Sequence, residues 1–311
     1  MITIATPSEE AQILSKASEV AEANNTATTD SAPLMRPSNA GYPIFQQVWR
    51  LFVEPAFPTN VVVSQDPAKR IKRIMNICSG HVFERAVEQL LLSTYPDHGL
   101  VQQQKLTYKY FSGSADFVLL NKQKGSLVIV ECKSIGKPTK REIVGEKLLT
   151  DHWGYKTQLS LYTEAAVESI TNEGIRLTSV TPLWYVWSRP SEKLFVVDAS
   201  RGQTKVDTML HAEAAVKVYE RLLIAKEAFN NGDLQTVAQI AIEELPFDKE
   251  YVNGYSRGCT PFHFSPFTEV FYDEEGYTKE ASACSDILIE FLQIAKQNRR
   301  ELFTELAKEI I

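Results

Sequence analysis

Three charged residues stand in two apolar segments that follow each other closely in the chain. Asp116 lies within the first segment, and Glu131 and Lys133 follow the apolar residues 127–130 of the second. Because successive side chains of a strand point to opposite faces, Glu131 and Lys133 are expected to share one face while Cys132 points to the other. With Asp116 from the neighbouring strand they form an oxygen-rich pocket that suits Mg²⁺ or Mn²⁺, beside an ammonium that can hold water or phosphate. The spacing therefore predicts a divalent-metal hydrolytic site.

The same residues allow a plainer interpretation, since exposed strands often alternate glutamate and lysine for solubility. The apolar run before Glu131 indicates a buried central strand instead. Charges in such a strand are costly unless they pair with each other or bind a metal. The hydrolytic site is therefore the favoured hypothesis.

The composition is that of an ordinary globular protein, with 44% hydrophobic and 23% charged residues among 311. No apolar run approaches the roughly 20 residues of a membrane-spanning helix, and the first residues lack the features of a secretory signal. We therefore expect a soluble, cytoplasmic protein with no membrane partner. The net charge of −6 argues against wholesale coating of nucleic acid.

Positive charge is nevertheless concentrated on both sides of the predicted site in sequence. Residues 66–73 carry four positive charges against one negative, and residues 133–147 carry five against two, among them Lys137, Lys140 and Arg141. Either run can line a groove for DNA, or form the solvated face of a helix.

The four cysteines, at positions 78, 132, 259 and 284, include no Cys-x-x-Cys pair. Disulfides are not expected in a reducing cytosol. A four-thiolate zinc or iron-sulfur site remains an alternative, which the buried strand position of Cys132 disfavours.

The chain divides into three regions. Residues 1–40 contain no aromatic residue and are expected to form a disordered tail. Residues 41–200 alternate predicted helices and strands, and residues 201–311 are mainly helical. This order predicts an α/β fold with a mixed central β-sheet flanked by helices and a helical C-terminal extension packed on the core. The predicted elements are helices at 70–93, 151–170, 206–229 and 282–310, and strands at 106–120, 127–134, 183–187 and 194–198.

Two predicted helices have a recognisable apolar face. Phe45, Trp49, Phe52 and Phe57 are spaced as on a helix that packs against the core. The apolar stripe of helix 70–93 is predicted at Ile74, Ile77, Val82, Ala86 and Leu90.

Four short motifs occur in the predicted core, and together they are more specific than any one alone. They are Gly80-His81-Val-Phe-Glu84, Gly113-Ser-Ala-Asp116, Glu131-Cys-Lys133 and Gln158-Leu-Ser-Leu-Tyr162. In order and spacing the set resembles the PD-(D/E)XK nucleases, and within them the RecB-type exonucleases that include the CRISPR-associated adaptation nucleases. The resemblance implies a restriction-endonuclease-like core within residues 41–200.

The resemblance also implies a role for each matched residue. It assigns metal coordination to His81, Asp116, Glu131 and the backbone carbonyl of Cys132. It assigns catalysis to Asp116, Glu131, Lys133, Gln158 and Tyr162. Glu84 is expected to support the metal ligands or to contact another ion, and Lys137, Lys140 and Arg141 are expected to contact DNA.

The sequence departs from many RecB-type members, which hold an iron-sulfur cluster with one cysteine before the helix motif and three near the C-terminus. Here Cys259 and Cys284 stand apart, so no cluster is expected. Aromatic packing is expected to hold the C-terminal region on the core instead, through Tyr251, Tyr255, Phe262, Phe264 and Phe267.

The function implied is a Mg²⁺- or Mn²⁺-dependent deoxyribonuclease acting on single strands or duplex ends in recombination, repair or phage DNA processing. An exonuclease is favoured over an endonuclease by resemblance alone. A homo-oligomer or a recombination-protein partner is compatible with the long C-terminal helices. The alternative is a non-catalytic DNA-binding or assembly subunit that keeps the nuclease fold.

Overall fold

A five-stranded mixed β-sheet forms the centre of the protein. The computed structural model describes residues 35–41, 44–56, 67–135, 154–188, 193–243, 271 and 279–297. The strands are β1 (Gly99–Tyr108), β2 (Phe111–Asn121), β3 (Ser126–Ile135), β4 (Ser179–Ser188) and β5 (Lys193–Asp198). They lie side by side in chain order, and only the β3–β4 pair is parallel.

Seven α-helices accompany the sheet in the described parts of the chain. They are α1 (Pro37–Ala40), α2 (Ile44–Val48), α3 (Pro67–Thr94), α4 (Tyr155–Asn172), α5 (Thr208–Asn231), α6 (Leu234–Ile242) and α7 (Ala281–Lys296). A π-helical turn, Trp49–Val53, continues α2. Helix α4 connects the parallel strands β3 and β4, as a crossover must. The predicted fold class, a mixed sheet flanked by helices with a helical C-terminal extension, is confirmed.

The sheet is covered by α3 on one face and by α4 on the other. Phe83, Val87 and Leu91 of α3 pack against β2, β3 and β4, and a separate apolar layer joins α4 to the opposite face. The apolar stripe predicted for α3 is wrong in its described part, because Ala86 and Leu90 are exposed and Val82 is 71% exposed. Ile74 and Ile77 have no described side chains, and Phe57 of the first predicted apolar face lies outside the described residues.

The segment predicted as one strand, 106–120, is in fact two. A tight turn at Lys109 and Tyr110 separates β1 from β2, and Lys109 has a positive φ of 49°. Strand β1 begins at Gly99, earlier than predicted. The turn between β2 and β3 lies where the sequence predicts it and needs a glycine, because a Cβ on Gly125 would collide with the Arg176 carbonyl oxygen.

A third apolar cluster joins both ends of the described chain. Helices α1 and α2 and the π-helical turn pack with α5, α6 and α7 around Phe45, Trp49 and Phe291. Phe271 is fully buried among these three rings, with centroid distances of 5.2, 5.5 and 6.2 Å to Phe45, Trp49 and Phe291. The aromatic residues predicted to hold the C-terminal region, at positions 251–267, lie outside the described residues.

The packed structure begins a few residues before the predicted boundary at 40. Met35 pairs with Phe111 through a β-bridge, and Ala40 is buried. Residues 35–40 therefore belong to the folded part rather than to the predicted tail, whose residues 1–34 lie outside the description. Among the described residues, no helix combines the length and apolar character needed to cross a membrane.

Candidate active site

Strands β2 and β3 separate beside Asp116. Their regular pairing ends at Phe117 and Val130. Beyond this pair, the Asp116 carboxylate accepts a hydrogen bond from the backbone of β3. The Cys132 backbone N–H donates to Asp116 Oδ2 at 2.7 Å. The aspartate thus satisfies a backbone donor where the two strands part.

The side chains of β2 exchange faces at the same point. Ala115 packs in the α4 layer and Phe117 in the α3 layer, although residues two apart in a regular strand share a face. Gln103, on the adjacent strand, has a positive φ of 51°, which is unusual for a residue other than glycine. Its side-chain amide donates to Asp116 Oδ1 at 3.2 Å. Because the backbone is irregular here, the Asp116 side chain does not follow the alternation of β2 and lies between β2 and β3.

Glu131 and Lys133 lie on the α4 face of β3, where the alternation of the strand predicts them. The Lys133 ammonium donates to Glu131 Oε2 at 2.9 Å and to Gln158 Oε1 at 2.7 Å. It also lies 5.0 Å from the ring centroid of Tyr155. A carboxylate, an amide and an aromatic ring therefore fix the ammonium from three directions.

Burial and charge act in opposite directions on this ion pair. Glu131 is 1% exposed, and burial raises its pKa while the Lys133 ammonium partly offsets the rise. Burial by itself lowers the pKa of Lys133, but the charges of Glu131 and Asp116 outweigh it and raise the pKa. Lys133 is therefore a firmly held cation at neutral pH.

Tyr162 lies one helical turn after Gln158 and hydrogen-bonds with its side chain, so the predicted shared face is observed. Burial raises the pKa of the phenol, which stays protonated at neutral pH. Its hydroxyl lies 2.6 Å from the position that a Cβ on Gly113 would occupy. A glycine at position 113 thus leaves the space that the tyrosine fills.

His81 and Glu84 occupy the outer side of the site. The His81 side chain is 70% exposed, and its Nδ1 lies 3.6 Å from Glu84 Oε2. Glu84 faces inwards: burial raises its pKa most, and the charge of Asp116 raises it further. The structure brings together Asp116, Glu131, Lys133, Gln158 and Tyr162, and it leaves His81 outside that group.

The expected set of metal ligands is only partly assembled. Within the described residues, no three His, Cys, Asp or Glu side chains are grouped so as to hold a metal ion. Two observations still fit a hard divalent cation. The charge of Asp116 acts directly on Glu131, and Glu131 Oε1 is buried with no hydrogen-bond partner among the described atoms. The imidazole of His81 lies beside Glu84, and its expected ligand role stays a prediction.

Other predicted residues lie where the structure gives no description. Lys137, Lys140 and Arg141 fall within 136–153, and the side chains of the basic run 66–73 are not described. The Cys259 side chain is likewise outside the description. Cys132 and Cys284 are free cysteines.

Two residues of the site were missed by sequence reasoning. Tyr155 contacts Lys133. It is the first residue of α4, and nothing in the sequence around it indicates that contact. Gln103 is the middle residue of a run of three glutamines, and only its backbone conformation distinguishes it.

For the nuclease activity that the sequence resemblance implies, we expect a Gln103→Asn variant to reduce DNA cleavage about fivefold, the effect of removing about 1 kcal/mol of hydrogen bonding. Asparagine tolerates the positive φ but is one methylene too short to reach Asp116. Initial rates on labelled DNA measure the effect, with Gln102→Asn as the matched control on the same strand. Equal rates for the two variants would show that Gln103 does not position Asp116.

Comparison with known proteins adds a distant structural likeness. No protein-family model matches the chain, and no curated protein matches it. The crystal structure of SSO0001 resembles 67% of this chain and 86% of that chain, with 10% sequence identity and a TM-score of 0.36. A likeness of this size carries no conclusion about chemistry, which must be argued from the site itself.

Proposed function

We propose that this protein is a Mg²⁺- or Mn²⁺-dependent nuclease that hydrolyses phosphodiester bonds of DNA, as an exonuclease in recombination, repair or phage DNA processing. One observation carries the proposal. A lysine is held by a buried glutamate and by a helix glutamine, directly beside an aspartate at the point where two strands part. This arrangement puts two carboxylates and one fixed ammonium at a single position, where they can hold a cation and stabilise negative charge that develops on a phosphate.

Each side chain has a distinct task in this proposal. Lys133 orients the attacking water or stabilises the charge that develops on the phosphate, and its contacts with Gln158 and Tyr155 keep it from turning away. Tyr162 holds Gln158 in place from the next helical turn. Because these groups lie on α4 and β3, rather than on loops, their geometry is set before the substrate binds.

Asp116, Glu131 and the Cys132 carbonyl are the groups of this chain that would hold the cation. A bound Mg²⁺ or Mn²⁺ lowers the pKa of a water ligand and screens the charge of the phosphate. The Cys132 peptide belongs to the site through its N–H as well, which fixes one oxygen of Asp116 and leaves the other directed to Gln103.

The proposal is tested by incubating linear and circular DNA, single- and double-stranded, with Mn²⁺, with Mg²⁺ or with EDTA. We expect cleavage of linear substrates with either metal and none in EDTA, because the carboxylates need a cation to act on phosphate. Cleavage of circular single strands would identify an endonuclease. Full activity in EDTA, or no activity with any substrate and metal, would contradict the proposed function.

A second candidate is a DNA-binding or assembly subunit that does not cut. It is favoured by the lack of a three-ligand group in the described residues and by the ion pair that already neutralises Glu131. Metal titration separates the two candidates: a nuclease site should bind Mn²⁺ with weaker affinity in Asp116→Asn, whereas a non-catalytic subunit should not bind it there.

A further inference from the structure

A cleft lies between the first helices of the described chain and α5, outside the group of residues around Lys133. It has a volume of about 400 Å³, which is within the usual range for small-molecule sites. The residues before α1, the π-helical turn and the middle of α5 form its walls. We call it the α5 cleft.

The rim of the α5 cleft is positively charged. Arg36, Arg50 and Lys226 contribute to it, and none of the described residues that line it is acidic. Arg36 and Lys226 are exposed and make no ion pair within the part of the chain that the structure describes. The guanidinium of Arg50 donates to Asn39 Oδ1 at 3.3 Å, which holds it at the rim. The cleft therefore favours an anionic ligand.

The walls of the cleft are apolar beneath this rim. Leu51 is 44% exposed and Leu223 is 38% exposed, and both face the cleft. Phe52 and Tyr219, whose side chains are buried, also line it. A ligand that suits such a surface carries negative charge along one side and flat apolar groups along the other, as a single strand of nucleic acid does.

The cleft adjoins the candidate active site through a short stretch of chain. Met35 lines the cleft and pairs with Phe111 of β2. Pro37, two residues later, lies 2.9 Å from the position of a Cβ on Gly113, beside the Tyr162 hydroxyl. A ligand in the cleft is thus separated from Tyr162 by Pro37, the first residue of α1.

We propose that the α5 cleft binds a segment of single-stranded DNA, with phosphates on Arg36, Arg50 and Lys226 and bases on the apolar walls. The idea that the cleft holds the substrate strand beside the active site rests on the proposed nuclease function. The idea that the cleft binds single strands depends only on its charge and shape. Duplex DNA is a poorer fit, because its bases are stacked inside the helix and cannot reach the walls.

The test measures binding of the full chain to a fluorescein-labelled oligothymidylate of about 12 nucleotides, by fluorescence anisotropy in EDTA so that no cutting occurs. The variant is Arg36→Gln/Lys226→Gln. The matched control is Lys217→Gln/Lys122→Gln, which makes the same change in net charge. Lys217 is exposed and precedes Lys226 by nine residues of one helix, about 180° around its axis, so it faces away from the cleft.

We expect Kd to rise roughly tenfold in the cleft variant and to stay near the wild-type value in the control. The slope of log Kd against log salt should fall by about 1.4 in the cleft variant, about 0.7 for each phosphate that is no longer neutralised. Binding that falls equally in both variants would overturn the proposal, since only net charge would then matter. Unchanged binding with faster proteolysis of residues 1–34 would also overturn it, and would show that the cleft holds that segment instead.

The same proteins assayed for DNA cleavage separate this inference from the proposed function. If the wild-type protein binds through the cleft but cuts no DNA, the proposed binding site is supported and the proposed nuclease function is contradicted. If the wild-type protein cuts DNA and the cleft variant binds as well as the wild type, only the proposed binding site is contradicted.

Discussion

A Lys133→Met variant is expected to lose about 3 kcal/mol of unfolding free energy and all measurable DNA cleavage. Removal of the ammonium leaves the buried Glu131 carboxyl without its partner and raises its pKa further, so the carboxyl must take up a proton to stay buried, and this destabilises the fold at neutral pH. Urea unfolding measures the first effect, and initial cleavage rates measure the second.

The double variant Glu131→Gln/Lys133→Met separates stability from catalysis. It removes both charges at once, so we expect stability to return most of the way to the wild-type value while cleavage stays absent. Lys122→Met, on an exposed lysine of the β2–β3 turn, is the matched control and should behave as wild type. A single Lys133→Met variant that still cuts DNA would rule out the task given to Lys133. A double variant as unstable as the single one would show that the unpaired carboxylate is not the cause.

The second large effect concerns the junction of the two ends of the described chain. A Phe271→Ala variant is expected to lose about 3–5 kcal/mol of unfolding free energy, the usual result of removing a buried phenyl ring. The ring contacts Phe45, Trp49 and Phe291, so its removal leaves a cavity between α2, the π-helical turn and α7. Urea unfolding of the full chain measures the change.

An exposed leucine on α5 provides the control for this experiment. Leu210→Ala should change the unfolding free energy by no more than about 0.5 kcal/mol. If Phe271→Ala is as stable as Leu210→Ala, then the ring does not join the N-terminal helices to α7. A destabilisation confined to the α7 region, with the sheet still folded, would show in hydrogen exchange as two separate units.

Much of the sheet could be predicted, because a strand alternates its side chains whatever surrounds it. The shared face of Glu131 and Lys133 follows from that alternation, and the turn between β2 and β3 follows from its polar residues and Gly125. The turn at Lys109 and Tyr110 was missed because it contains no glycine or proline to mark it.

The buried face of α3 shows why helix periodicity can mislead. Val82, Ala86 and Leu90 repeat every four residues, and so do Phe83, Val87 and Leu91. Both stripes satisfy the helical period, and they lie next to each other on the helix. The sheet buries the second stripe. This choice also decides that Glu84 faces Asp116 while His81 stays exposed.

The sequence by itself determined the nearly local features: the strand that carries Glu131 and Lys133, the helix that carries Gln158 and Tyr162, and the α/β order. These depend on backbone periods that are the same in every protein. Only the tertiary structure decided the exchange of faces at Asp116, the contact from Gln103, the burial of Phe271 and the α5 cleft. Each of these brings together residues distant in the chain, and their meeting depends on how whole elements pack rather than on the pattern within any one of them.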